Sequence, residues 1–143
     1  MLIREVMTPR AECTRPTASL RAAAEKMRDL DVGPLPVCSD DDQLVGILTD
    51  RDITIRAVAD GHDPNLVRVE DVMTPEVYYC FDDHDVQQAA EIMKDRQVRR
   101  LVVLNRGKRL VGIVSIGDLA VETGDDQLVG DTIEEVSIPI RPK

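Results

Sequence analysis

Two heptapeptides carry the residues best suited to chemistry. Gly46-Ile-Leu-Thr-Asp-Arg-Asp52 and Gly112-Ile-Val-Ser-Ile-Gly-Asp118 share a glycine, an apolar pair, a hydroxyl, and an aspartate three residues after the hydroxyl. Each closes an apolar run and opens a more polar one, so each reads as a strand-to-helix junction. A hydroxyl beside the free N–H groups of a starting helix suits a phosphate oxygen. An aspartate one turn further on can accept two hydrogen bonds from a ribose diol. The glycine lets another backbone, or a flat base, come close. Plain capping explains the same residues: Thr49 and Ser115 as N-caps, Asp52 and Asp118 as acidic groups of the first turn. Capping accounts for either motif taken alone. Its recurrence within two aligned repeats brings the ligand reading forward.

No catalytic constellation accompanies them. The chain has no P-loop, no Cys–His or Ser–His set with supporting groups, and no cysteines at metal-ligand spacing. The reading is therefore of a protein that is not an enzyme and holds no metal. Cys13 and Cys38 fall in segments read as neighbouring strands, which leaves a disulfide open. Reduced thiols fit a cytoplasmic protein better.

The elements that must position these motifs are also duplicated. Val6-Met-Thr-Pro9 returns as Val72-Met-Thr-Pro75, and Leu44-Val-Gly-Ile47 returns as Leu110-Val-Gly-Ile113. At this offset of 66, residues 6–53 and 72–119 are identical at 17 of 48 positions without a gap. Repeats of this kind pack together, because one copy cannot bury its apolar face alone. Within a copy, residues 2–7 form a short helix ended by Thr8-Pro9, and residues 12–15 a short strand. Ser19 caps a helix to about Leu30, with Leu20, Ala23, Ala24, Met27 and Leu30 on one face. Asp85, Val86, Ala89, Ala90 and Met93 repeat that pattern. Two strands follow, at 35–38 and 45–48 and again at 101–104 and 110–114, and a last helix runs over 50–59 or 116–121. The turns between the strands, Asp40-Asp-Asp42 and Asn105-Arg-Gly-Lys108, differ in charge, which favours solvated turns over a cation site. Of Tyr78 and Tyr79, on the first strand of the second copy, one is read as core and the other as able to flank a base, with core packing favoured for each taken individually.

The order β-α-β-β-α, twice, defines an α/β (α+β) fold. The boundaries read from the sequence are 1–59 for the first repeat, 60–67 for a turn-rich linker, 68–121 for the second repeat and 122–143 for a tail. The tail is expected to hold a short helix over 131–136. A chain of 143 residues holds one compact domain or one fused pair. A net charge of −9 argues against unspecific binding to nucleic acid or anionic membranes. No apolar stretch approaches the roughly 18 residues of a membrane span. Met1-Leu-Ile-Arg-Glu lacks the features of a signal peptide, so a cytoplasmic location is expected.

The Val-Met-Thr-Pro segment, the apolar helix and the Gly-h-h-[Thr/Ser]-x-x-Asp motif, each present twice, resemble the CBS domain in its tandem form, the Bateman module. The resemblance covers roughly residues 1–121. It implies two repeats packed sheet to sheet about a pseudo-twofold axis, with two clefts that take adenine nucleotides such as AMP, ADP or ATP. It places the phosphate contact on Thr49 and Ser115 and the ribose contact on Asp52 and Asp118. Arg99 and Arg100 take the place of the basic residues that face the phosphates, and alternation along a strand lets at most one reach a given ligand directly. The first copy has Gly33-Pro34 there, and the second copy lacks the Asp50-Arg51 pair, so the sites are unequal. The resemblance further implies a homodimer, an adenine nucleotide as regulatory ligand with no required cofactor, and output through another protein. The alternative is a dimerisation or protein-interaction module without a ligand.

Overall fold

The computed structural model describes residues 1–9 and 12–138. In chain order its elements are α1 (Ile3–Val6), β1 (Thr8–Pro9), α2 (Leu20–Leu30), β2 (Pro34–Cys38), β3 (Leu44–Thr49) and α3 (Asp50–Ile53). A π-helical stretch, Thr54–Val58, continues α3. Then come α4 (Val69–Val72), β4 (Tyr79–Phe81), α5 (Val86–Arg96), β5 (Arg100–Leu104), β6 (Leu110–Ser115), α6 (Ile116–Thr123) and α7 (Asp126–Val136).

The compact units are not contiguous repeats. One unit comprises Met1–Ala11 and Tyr78–Lys143, and the other Glu12–Val77. The cause is strand pairing. Thr8 and Pro9 pair antiparallel with Ile113 and Gly112 of β6, far along the chain. The N-terminal segment therefore completes the unit built from the second sequence repeat. The 72–75 copy stays with the unit it follows, where Thr74 pairs with Ile47.

In the first unit the strands run β1-β6-β5-β4. β5 and β6 are antiparallel, and β4 joins β5 in parallel. One side of the core is α5, which buries Val86, Ala89, Ala90 and Met93. Ile3 and Val6 from α1 enter the same cluster, with Leu128 and Val136 from α7. The second unit repeats the arrangement with fewer hydrogen bonds. β2 and β3 form the antiparallel pair, and single bridges stand in for the outer strands, Thr14 beside Val37 and Thr74 beside Ile47. The strand read at 12–15 is thus reduced to the bridge at Thr14.

Capping fixes the long helices where the sequence placed them. The Ser19 hydroxyl accepts from Ala22 N at 3.1 Å, and the Asp85 carboxylate from Gln87 N at 3.0 Å. Ala24 and Leu30 correct the expected stripe, since both are exposed on α2. Their reading relied on periodicity, and periodicity cannot say how wide a face its neighbours cover. Ala90, the counterpart of Ala24, is fully buried, in the unit where α7 packs against α5. The tail helix begins at Asp126, five residues before the expected start, because Asp125 caps it by accepting from Leu128 N at 3.0 Å. The Pro-containing end, 139–143, lies outside the described residues.

Candidate functional site

Thr49 and Ser115 occupy the same corner in their respective units. Each is the last residue of a strand and the N-cap of the helix that follows. At the first corner, Asp52 N donates to Thr49 Oγ1 at 3.0 Å, and Thr49 N donates to Asp52 Oδ2 at 3.0 Å. At the second, Asp118 N donates to Ser115 Oγ at 3.1 Å, and Ser115 N to Asp118 Oδ2 at 2.9 Å. These are reciprocal capping boxes, which satisfy two backbone donors each. All four side chains are half-buried. Only one oxygen of each aspartate is engaged, so Oδ1 has no hydrogen-bond partner among the described residues. A carboxylate held by one oxygen and open at the other is a fixed acceptor. The two hydroxyls each retain a donor hydrogen. The corner can therefore cap its helix and still receive a polar ligand.

Register separates the two arginines. Arg100 pairs directly with Ser115 across β5 and β6. Directly opposed residues present their side chains on one face, so Arg100 shares the face of the Ser115 hydroxyl. Arg99, one position earlier, is directed away. Its Nη2 donates to Ser137 Oγ at 3.0 Å, just past the end of α7. Both arginines are exposed. In the other unit Pro34 pairs with Thr49, so no cation stands opposite that hydroxyl. Asp50 there lies beside Gly33: a Cβ on Gly33 would come within 3.1 Å of Asp50 Oδ1. The position paired with the hydroxyl is thus a proline at one corner and an arginine at the other.

The glycines of the two motifs have a structural assignment. A Cβ on Gly112 would lie 2.6 Å from Thr8 O and 2.7 Å from Met7 Sδ. On Gly46 it would lie 2.7 Å from Met73 Sδ and 2.9 Å from Thr74 O. The close approach is that of the Val-Met-Thr-Pro backbone, not of a base. Met7 and Met73 are the residues that sequence reasoning missed. Their signal was present, since each recurrent glycine is matched by a recurrent Met-Thr. Arg56 reinforces the second contact by donating to Val72 O at 3.1 Å.

The tyrosines correct another expectation. Tyr78 is 36% and Tyr79 42% exposed, so neither is core. Arg96 lies over the Tyr78 ring at 5.1 Å, and Tyr79 meets Phe81 edge-on at 5.7 Å. β4 is an outer strand of its sheet, and its buried side chain is Cys80. Burial pushes the Cys80 thiol up to about 12. Cys13, Cys38 and Cys80 are all free thiols.

Fold and duplicated corners together define a class, a tandem α/β module of two like repeats. The CBS domain family matches residues 3–58 and 69–124, and the protein belongs to it. Hypoxic response protein 1 of Mycobacterium tuberculosis is 41% identical over 117 residues, 82% of this chain and 81% of that protein. The crystal structure of hypoxic response protein I with two coordinated zinc ions superposes with a TM-score of 0.77 at 39% identity, covering 85% of this chain and 98% of that one. The CBS domain protein PAE2072 from Pyrobaculum aerophilum, complexed with AMP, gives a TM-score of 0.77 at 27% identity, covering 92% and 99%. Among the described residues no group of three or more His, Cys, Asp or Glu is placed to hold a metal ion. No described helix is long and apolar enough to cross a membrane.

Proposed function

We propose that this protein is a non-catalytic sensor that binds an adenine nucleotide, AMP, ADP or ATP, at the corners formed by Thr49 with Asp52 and Ser115 with Asp118. The observation that carries the reading is the register of Arg100 with Ser115. It gives one corner a hydroxyl, an aspartate with an open oxygen and a guanidinium on the hydroxyl's face. Those are the groups a nucleotide's phosphate and ribose require. A relative complexed with AMP supports the ligand class. The Ser115 corner is the stronger site, because Pro34 and Asp50 leave the Thr49 corner without positive charge opposite its hydroxyl. Arg99 acts on the tail rather than on the ligand. A homodimer passing occupancy to a separate protein effector completes the reading.

The capping boxes favour a second reading, an interaction module without a ligand, since they give all four side chains a structural task. Thermal unfolding against AMP, ADP and ATP at fixed protein concentration separates the two. A ligand at 100 times its Kd adds about 2.7 kcal/mol, a midpoint rise of roughly 5–10 °C for this size. That rise, lost in Asp118→Asn and reduced in Arg100→Gln, is the expected result. If Asp118→Asn costs only about 0.3–1 kcal/mol of stability and no nucleotide shifts the midpoint at millimolar concentration, the sensor reading fails.

A further inference from the structure

One of the two outer edges of the Glu12–Val77 unit is a seam fastened by a single bridge. Its counterpart, β4, is three residues long and pairs with β5 through Tyr79, Cys80 and Phe81. At the seam, among the described residues, only Thr14 bridges to Val37. Thr14 N donates to Pro36 O, and Cys38 N donates to Thr14 O, both at 2.9 Å. Cys13 and Cys38 therefore flank that bridge. Side chains hold the same place: Lys26 Nζ donates to Cys13 O at 2.9 Å, and Arg15 donates to the carbonyls of Cys38 and Ser39. Cys13 is half-buried and Cys38 fully buried. Both flank the paired positions by one residue, so their side chains fall on the same face, opposite Thr14 and Val37, and burial with the nearby Cys13 pushes the Cys38 thiol up to about 12.

We propose that Cys13 and Cys38 are a reversible redox pair, which oxidises to a disulfide that staples residues 12–15 to the edge of β2. The oxidant is a low-molecular-weight disulfide. Cys13, the more accessible sulfur, attacks as the thiolate and releases one thiolate of the oxidant, leaving a mixed disulfide. Local opening of the seam lets the buried Cys38 thiol lose its proton to solvent, and its sulfur attacks Cys13 Sγ. The Cys13 bond to the small thiol breaks, and the second thiolate departs. Two cysteine thiols are oxidised and one small disulfide is reduced to two thiols. The bond closes a loop that contains α2, so the oxidised unit is harder to unfold. Cys80 is the internal control, since it is fully buried in the other unit, away from the two cysteines of the Glu12–Val77 unit.

The test incubates the reduced protein with oxidised glutathione, then quenches, alkylates and maps it by mass spectrometry. The expected result is a Cys13–Cys38 cross-link, an alkylated Cys80 and no retained glutathione. The midpoint of thermal unfolding rises by about 5–10 °C over the reduced form, and Cys13→Ser abolishes both effects. Three alkylated thiols, a stable glutathione adduct without the cross-link, or a bond between chains would each overturn the proposal. So would a cross-linked form that melts at or below the reduced one.

Discussion

A methyl group is too large for the space beside Gly112. The nearest obstacle is Thr8 O at 2.6 Å, a backbone atom of a paired strand that cannot swing aside. Gly112→Ala should cost about 1–3 kcal/mol through forced displacement of β1, read as a lower urea midpoint at unchanged slope. Gly46→Ala should cost less, because its shortest contact is the flexible Met73 Sδ. Equal stability of Gly112→Ala and the parent would mean that β1 is free to retreat. Glycine, methionine and threonine were legible in the sequence as recurrent letters, but which of them met was not. Contact between positions about a hundred residues apart follows from register, and composition does not carry register. The arginines teach the same point. Alternation said that Arg99 and Arg100 diverge; only the pairing of Arg100 with Ser115 says which faces the hydroxyl. The tyrosines misled because an aromatic pair on a short strand reads as core, while the strand lies at the outer position of its sheet.

At the scale of elements, caps and the tail helix decide how much of each helix is held. Asp85 accepts the backbone N–H of Gln87, and this bond holds its carboxyl below the ordinary 3.8. A lowered folded value gives stability that is present above the unfolded value and lost as pH falls through the folded one. Asp85→Ala should therefore destabilise the protein at neutral pH and flatten the decline below about pH 4, measured as urea midpoints across pH. Ser19, which does the same task on α2, carries no charge and gives no such slope. The tail helix α7 contributes burial. Leu128 is 7% exposed, and the fully buried Thr132 returns its hydroxyl to Leu128 O at 2.7 Å. Leu128→Ala should cost about 2–4 kcal/mol by transfer and cavity terms. A loss below 1 kcal/mol would mean that α7 is not anchored on α5. The sequence showed both long helices through their caps and 3.6 period. It missed the first turn of α7, whose acidic residues and Gly130 dilute the apolar pattern.

For the whole molecule, the question is which residues open together. Sequence order puts Ile3 at the head of the first repeat, yet its fully buried side chain belongs to the core that contains Cys80. Cys38 is packed in the other unit. Each unit thus carries a buried thiol that reports its own opening. In Ile3→Ala the lost contacts should cost about 2–4 kcal/mol. Under reducing, native conditions, alkylation of Cys80 should accelerate by roughly 10–100-fold, because labelling follows the open population. Cys38 should change far less, although it stands nearer to Ile3 along the chain. Val69→Ala, in the core cluster of the Glu12–Val77 unit, should invert the pattern. Equal acceleration of both thiols in both variants would show that the units open as one body, and strand exchange at the N-terminus would then be a matter of topology alone. Acceleration confined to Cys38 in Ile3→Ala would place the N-terminal segment with the residues that follow it, against the pairing of Thr8 with Ile113.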